Sequence, residues 1–259
     1  MSMHFPFAGQ TLHCLDAGEG PVLLFLHGLG GNALNWTHQQ RHFASTHRVL
    51  CLDLPGHGKS QGREMPFDRY WEAAEALLDR LNLASASVCG LSKGARAGMA
   101  LAARRPERVD ALVVVNAFVH LDDEDKRKRV ALYELLAGGR AGAQAWAERL
   151  LECMGVADHA TIARGLMKSL DQIDPTHIRR VFMELIEQDQ RPEAATIGCP
   201  TLLVRGEQDG FIPLYCLDAL HGLIVGAVVE RMAYCGHLPY LEDPVRFNAV
   251  VERFLRTSL

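Results

Sequence analysis

The sequence predicts an α/β protein with a mostly parallel β-sheet, flanking helices and an inserted helical block. Short apolar runs bounded by turn residues alternate with segments of helical periodicity between residues 22 and 115. The alternation stops over residues 119–194, where no strand pattern occurs, and resumes at Pro200. Because strand–helix–strand connections are right-handed crossovers, the alternating parts form one sheet. We expect residues 1–118 and 195–259 to form a core domain and residues 119–194 a helical cap.

Apolar runs and turn residues predict the amino-terminal elements. Residues 3–17 contain two short strands around a turn, which is typical of a β-hairpin. The runs 22–26 and 48–52 are apolar almost throughout, which suits central strands buried on both faces. The second run ends in the loop 53–60, which is dense in proline and glycine. Helices are predicted between these strands and after them, at residues 35–44 and 68–81.

The later elements follow from the same signals. Strands are predicted at residues 86–89, 111–115, 201–204 and 228–232, and helices at residues 95–105, 143–153, 160–170 and 175–189. Asp122 to Glu124 start a further helix, and the basic run 126–129 on it is expected to be a solvated face. The last helix is predicted from Asp243 to Leu255, with Asp243 as its N-cap and Pro244 in its first turn.

Composition excludes several classes of function. Of 259 residues, 48% are hydrophobic, which is enough for a sizeable core, and the net charge of -4 gives no support for nucleic-acid binding. The seven cysteines include no C-x-x-C pair and are expected to be reduced packing residues of a cytosolic protein. The amino terminus lacks a signal-peptide pattern, and no segment has the length and apolarity to span a bilayer. We expect a cytoplasmic monomer or homodimer without membrane contact.

Residues 90–94 read G-x-S-x-G, with Ser92 at the centre, between a predicted strand and a predicted helix. This order is typical of a nucleophile elbow, a tight turn that projects a serine hydroxyl from the sheet. The flanking glycines let strand and helix approach each other, and the helix N-terminus offers free N–H groups to an oxyanion. Short motifs also occur by chance, so an acid and a base must accompany the serine.

Both partners are found in later loops. Asp209 follows the strand 201–204, and His237 follows the strand 228–232. Because the carboxyl ends of parallel strands share one sheet edge, Ser92, Asp209 and His237 can converge as nucleophile, orienting acid and base. The oxyanion hole is expected from the backbone N–H groups of Lys93, directly after the serine, and of Leu29 in the loop 27–31.

These motifs resemble the α/β-hydrolase superfamily over essentially the whole chain. The resemblance rests on residues 27–31, 53–60, 90–94, 206–209, 236–237 and 242–244. It implies an eight-stranded sheet with a cap after the sixth strand and a cofactor-free, metal-free site like that of esterases, lactonases, C–C bond hydrolases and perhydrolases. Relatives that open epoxides or remove halide use an aspartate nucleophile, which Ser92 replaces here. Some relatives place the acid after the sixth strand, where this chain has Asn116.

Two positions depart from the commonest pattern. Ala95 replaces a second glycine, from which nothing follows. Lys93 stands where an uncharged residue is more frequent; we favour a solvated or paired cation that supplies only its N–H, and the alternative is an ammonium that holds an acidic substrate. Residues 28–33 mimic a dinucleotide fingerprint and residues 58–60 a phosphate loop, but both lack required partners.

The substrate pocket is expected between the oxyanion loop and the cap. Its candidate lining residues are Trp36, Leu91, Phe118, Trp146, Leu150, Phe211 and Leu238, most of which could equally be core residues. The sequence therefore predicts a serine hydrolase that cleaves a small carboxylic ester or lactone through an acyl-enzyme. C–C bond hydrolysis of a β-diketone-like acid, perhydrolysis and non-catalytic ligand binding remain alternatives.

Overall fold

A computed structural model describes residues 1–258 and confirms the α/β fold with an eight-stranded sheet. The strands are β1 (Ser2–Phe7), β2 (Gln10–Ala17), β3 (Val22–Leu26), β4 (Arg48–Asp53), β5 (Ala86–Leu91), β6 (Val109–Val115), β7 (Thr201–Gly206) and β8 (Val228–Met232). Their order is β1-β2-β4-β3-β5-β6-β7-β8, and only the β1–β2 and β2–β4 pairs are antiparallel. Strands β5 to β8 are therefore neighbours with their carboxyl ends at one edge.

Helices connect and cover these strands. They are α1 (Thr37–Phe43), α2 (Tyr70–Arg80), α3 (Lys93–Arg104), α4 (Asp123–Glu134), α5 (Gly139–Cys153), α6 (Ala160–Ser169), α7 (Pro175–Glu187), α8 (Arg191–Ala194), α9 (Leu214–Leu223), α10 (Pro239–Glu242) and α11 (Pro244–Ser258). Between β6 and β7 the chain contains helices and no strand, and the Asp122 side chain caps α4 by accepting from the Asp125 N–H. Asp243 accepts from the Arg246 N–H at 3.0 Å, as expected of an N-cap. Helix α9 is not predicted by the sequence pattern.

Two apolar cores lie on opposite faces of the sheet. Alternation along β3 sends Leu24 and Leu26 into one core, with residues of α2, α3 and the helices that follow β6. Leu23 and Phe25 enter the other core, with residues of α1 and α11. Both faces of the central strands are covered, which explains why their sequences are apolar runs and not alternating patterns. Within residues 1–258, no helix combines the length and apolarity needed to cross a membrane.

Candidate active site

The turn between β5 and α3 places Ser92 in a strained backbone conformation. Its φ is 49° and its ψ is -111°, a left-handed φ that non-glycine residues seldom adopt, at a cost of about 1–3 kcal/mol. The Ser92 N–H donates to the Val115 carbonyl at 2.9 Å, and the Ser92 carbonyl accepts from the Arg96 N–H in α3. The turn is thus tied to β6 on one side and to its own helix on the other, which fixes the half-buried Ser92 at the sheet edge.

Glycine is required on both sides of this turn. A Cβ on Gly94 would lie 2.2 Å from the Leu26 carbonyl oxygen, and a Cβ on Gly90 would lie 2.5 Å from the Ala95 backbone. Contacts this short are not compatible with a side chain, so the motif's glycines follow from the closeness of α3 to β3 and β5. Neither contact involves a flexible side chain that could move aside.

The loop of residues 27–31 lies beside the elbow, where a Cβ on Gly28 would come within 3.0 Å of the Leu91 side chain. His27 braces it: its Nε2 accepts from the Leu54 N–H at 3.0 Å, so Nδ1 carries the proton and donates to the Gly28 carbonyl at 2.7 Å. Burial and the nearby Lys93 lower the pKa of His27 well below its usual range, which keeps the ring neutral. The N–H groups of Leu29 and Lys93 donate no hydrogen bond to any residue from 1 to 258, so both are free to bind an oxyanion.

Asp209 and His237 are brought together by the loops after β7 and β8. Asp209 Oδ2 is 2.8 Å from His237 Nδ1, and both side chains are buried. Asp209 Oδ1 accepts from the N–H groups of Phe211 and Ile212 at 2.8 and 3.1 Å, and the Phe211 ring packs edge-on against His237. The acid is therefore held by backbone donors and directed at the imidazole. The Ser92 hydroxyl makes no hydrogen bond to His237 in this structure; hydrogen bonds of this kind commonly tighten only in the complex with substrate.

Asn116 connects the end of β7, the strand that precedes Asp209, with the loop that carries His237. Its side-chain oxygen accepts from the Gly206 N–H at 3.1 Å, and its amide nitrogen donates to the carbonyls of Gly236 and His237 at 3.1 and 3.0 Å. In the sequence, Asn116 was notable only because it stands where some relatives carry the acid. An asparagine directly after the sixth strand, opposite two loops at the same edge, was the available signal for this bridging role.

The structure corrects the expectation of a solvated Lys93. Its side chain is fully buried, with Nζ 3.1 Å from His57 Nε2 and 5.1 Å from the centre of the Tyr70 ring. His57 Nδ1 donates to the Pro55 carbonyl, so Nε2 is the acceptor for Lys93. Burial lowers the pKa of Lys93 well below its usual range, and burial together with Lys93 does the same to the pKa of His57. The lysine therefore binds a neutral imidazole and not solvent.

The buried cluster of Lys93, His57 and Tyr70 extends to helix α7 through His177. The His57 and His177 rings are 5.0 Å apart, and His177 Nδ1 donates to the Arg63 carbonyl while its Nε2 has no partner. Burial, with Lys93 as a second cause, lowers the pKa of His177 to about 4. Residues 1–258 contain no group of three His, Cys, Asp or Glu side chains placed to hold a metal ion. These histidines are packed, neutral side chains between the elbow and the helical block.

The basic run 126–129 also departs from expectation at one position. Arg129 is buried, and its guanidinium donates to the Phe211 carbonyl at 2.6 and 2.9 Å and to Asp125 Oδ1 at 2.7 Å. A residue from α4 therefore holds the loop that carries Asp209. The helical periodicity of α4 gave no sign of this contact, because the acceptor is a backbone carbonyl distant in sequence.

The seven candidate pocket residues fall in three places. Phe211 contacts His237, and the half-buried Leu238 adjoins both apolar cores. Trp146, Leu150 and Phe118 lie in the core shared with the helical block. Trp36 and Leu91 belong to the core on the opposite face, where Trp36 packs against Phe25, Tyr240 and Phe247. Packing against these three rings accounts for the burial of Trp36.

The fold and motifs define a class of protein, and comparison with known proteins agrees. The chain belongs to the α/β-hydrolase family, because the family model described as alpha/beta hydrolase fold matches residues 21–244. It is a hydrolase.

Named relatives share most of their length with this chain. It is 29% identical over 240 residues to 3-oxoadipate enol-lactonase 2 of Acinetobacter baylyi, covering 92% of this chain and 90% of the relative. It is 30% identical over 249 residues to a pimeloyl-[acyl-carrier protein] methyl ester esterase of Nitrosomonas europaea, covering 92% and 96%. The crystal structure of the enol-lactonase from Burkholderia xenovorans superposes with a TM-score of 0.86 at 25% identity, over 98% of this chain and all of that one.

Proposed function

We propose that this hydrolase cleaves a small carboxylic ester or lactone through a serine acyl-enzyme. The observation that carries the proposal is the buried Asp209–His237 hydrogen bond of 2.8 Å at the sheet edge where Ser92 occupies its strained turn. A hydroxyl alone is a weak nucleophile, and an imidazole oriented by a carboxylate is the base that activates it. The free N–H groups of Leu29 and Lys93 complete the set of groups that acyl transfer requires.

In the first half-reaction, Ser92 Oγ attacks the substrate carbonyl carbon as His237 Nε2 takes the hydroxyl proton. The carbonyl oxygen becomes an oxyanion that accepts hydrogen bonds from the Leu29 and Lys93 N–H groups. The carbon–oxygen bond to the leaving group then breaks, and His237 returns the proton to the departing alkoxide. Asp209 keeps the Nδ1–H tautomer and stabilises the imidazolium between the two transfers.

In the second half-reaction, water hydrolyses the acyl-enzyme. His237 removes a proton from the water, whose oxygen attacks the acyl carbon, and the oxyanion again forms against the same two N–H groups. Collapse releases the carboxylic acid, and the proton passes from His237 to Ser92 Oγ. For a lactone, the alkoxide and the acid are parts of one ring-opened product.

The helices of residues 119–194 are proposed as a cap that closes the pocket over Ser92. Trp146, Leu150, Phe118, Phe211 and Leu238 are the proposed apolar wall on this side. An apolar wall with few polar anchors suits a small acyl or lactone group. The names of two relatives, an enol-lactonase and a methyl ester esterase, support these substrate classes.

The proposal is tested with p-nitrophenyl acetate and butyrate, simple lactones and a fluorophosphonate probe. We expect ester turnover, labelling of Ser92 in intact-mass and peptide mapping, and a loss of about 10⁴-fold or more in kcat for Ser92→Ala. Ser2→Ala is the matched control, because Ser2 Oγ also lies 2.8 Å from a histidine nitrogen. Unchanged turnover in Ser92→Ala, or labelling of another serine, would overturn the assignment. A panel that adds β-diketone acids and peracid formation separates the alternative chemistries.

A further inference from the structure

Two charged side chains of opposite sign contact the proposed acid and the loop of the proposed base. We infer that Arg205 and Glu242 are positioning residues that fix the acid and the base, and that removing their opposite charges moves the acidic limb of the pH–rate profile in opposite directions. The inference rests on the proposed roles of Ser92, Asp209 and His237. Arg205 lies outside the sequence motifs, and Glu242 belongs to the motif at residues 242–244, for which the sequence indicates no role in catalysis.

Arg205 holds the acid from the strand beneath it. It lies near the end of β7 and is 5% exposed. Its Nη2 donates to the Asp209 carbonyl at 2.5 Å, and its Nη1 lies 3.4 Å from Asp209 Oδ2, the oxygen that also faces His237 Nδ1. Its Nε is buried without a partner. The guanidinium thus has Asp209 as its one carboxylate contact among residues 1–258, and it is aimed at the atom that orients the base.

Glu242 holds the base from the opposite side. Its Oε2 accepts from the Gly236 N–H at 2.7 Å, and its Oε1 accepts from the Leu238 N–H at 2.9 Å. These are the two peptide groups on either side of His237, so one carboxylate clamps the backbone that carries the imidazole. Burial raises the pKa of Glu242, while these two N–H groups and the nearby His237 favour its charged form.

The two charges act on the imidazole with opposite signs. A cation beside Asp209 and an anion beside the histidine loop change the electrostatic potential at the imidazole in opposite directions. Arg205 is buried and Glu242 is half-buried, so bulk water screens these charges less than it screens surface charges. Positioning alone would change the rate of each variant without moving its pH profile in a charge-dependent direction.

The remaining charged or titratable groups around the site stay constant in the variants. Arg129 and Asp125 on α4 are paired with each other at 2.7 Å and reach the acid loop through the Phe211 carbonyl. Cys153, at the end of α5, interacts with Asp209, and burial raises the pKa of its thiol. His159, before α6, interacts with Glu242. Lys93 and its histidine partners act on the elbow side.

The test is the acidic limb of kcat/KM against pH in Arg205→Met, Arg205→Lys and Glu242→Gln. We expect the limb to move up by about half a pH unit in Arg205→Met and down by a similar amount in Glu242→Gln. Arg205→Lys keeps the charge but loses the planar fork, so it should lower kcat while leaving the limb near its wild-type position. Arg253→Met is the matched control, because Arg253 pairs with Glu230 on the surface and its loss should not move the limb.

Opposite shifts support the inference; unmoved limbs, or two shifts in the same direction, overturn it. If Arg205→Met fails to fold, Glu242→Gln decides alone: a downward shift supports the inference and an unchanged limb overturns it. Fluorophosphonate labelling of the wild type distinguishes failure of the proposed function from failure of the roles inferred for Arg205 and Glu242. Absence of labelling at Ser92 refutes the proposed function, whereas labelling with unmoved limbs refutes only the roles of Arg205 and Glu242.

Discussion

Two buried aspartate–histidine pairs occur among residues 1–258, one in each half of the sheet. In both, an aspartate at or just beyond the end of a buried strand faces a histidine Nδ1, at 2.8 Å for Asp209 and His237 and at 2.7 Å for Asp53 and His13. Both carboxylates also accept backbone N–H groups: Asp53 from Ala33 and Lys59, at 2.6 and 2.9 Å. Their local geometry is therefore almost the same, and it does not distinguish a catalytic pair from a structural one.

The difference lies in the third group. Ser2 Oγ is 2.8 Å from His13 Nε2, so residues 2, 13 and 53 form a complete serine–histidine–aspartate set. Ser2, however, lies on the extended outer strand β1, with no helix N-terminus behind it. Ser92 occupies a left-handed turn between β5 and α3, next to two free N–H groups. The two serines therefore differ in the backbone and N–H groups around the hydroxyl, and not in the geometry of the nearby aspartate–histidine pair.

Among the variants that test this comparison, the largest effect is expected for Asp209→Asn. The amide keeps an oxygen for the Phe211 and Ile212 N–H groups, so the fold should survive, but His237 loses the acceptor that fixes its tautomer. We expect kcat for p-nitrophenyl butyrate to fall about 10⁴-fold. Circular dichroism and the urea midpoint check the fold, and near-normal kcat would mean that another group serves as the acid.

The same substitution in the other pair, Asp53→Asn, should affect stability and not chemistry. The new amide faces the donors of Lys59 and His13 and leaves at least one of them unsatisfied in the interior. We expect the free energy of unfolding in urea to fall by about 1–3 kcal/mol, with a far smaller loss of kcat than in Asp209→Asn. A loss of kcat as large as in Asp209→Asn, in a folded variant, would remove the contrast between the pairs.

Another buried histidine, His57, faces a lysine instead of a carboxylate, and Lys93→Met tests that arrangement. In the unfolded chain a lysine holds its proton up to about pH 10.4, but burial lowers the pKa of Lys93 in the folded chain. Between the two values the unfolded chain binds more protons, so stability rises with pH. Methionine removes this dependence, and we expect it to stabilise the protein at pH 7 by about 1 kcal/mol.

The stabilisation in Lys93→Met should shrink as the pH approaches 10. Urea titrations at pH 7 and pH 9.5 measure it, with Lys59→Met as the matched control because Lys59 is exposed. Lower stability of Lys93→Met at pH 7 would show that its hydrogen bond to His57 outweighs the cost of burying the amine.

The smallest effect is expected for Ser2→Ala. It removes one partly buried hydrogen bond, which is worth about 1 kcal/mol at most, and it leaves the Asp53–His13 contact in place. Turnover and fluorophosphonate labelling should match the wild type. A measurable loss of labelling in this variant would indicate that the outer serine is also reactive.

Much of the sheet could be predicted from sequence, because strands buried on both faces are apolar runs and turns are marked by proline and glycine. The central strands β3 to β6 lie where those runs predict them, within a few residues. Helix α9 was missed, because its sequence is apolar on most sides and lacks a clear periodicity. The candidate triad was found from sequence because each member follows a strand, and parallel strands end at one edge.

By itself, the sequence determined the fold, the family and the loops after β5, β7 and β8 that carry Ser92, Asp209 and His237, since periodicity and glycine spacing record local backbone requirements. Only the tertiary structure decided that Lys93 is buried against His57, that Arg129 binds the acid loop and that Arg205 and Glu242 flank the proposed acid and base. It also revealed the second serine–histidine–aspartate set, which consists of Ser2, His13 and Asp53. These contacts join residues distant in the chain through single polar atoms, and such pairings leave no periodic pattern in the sequence.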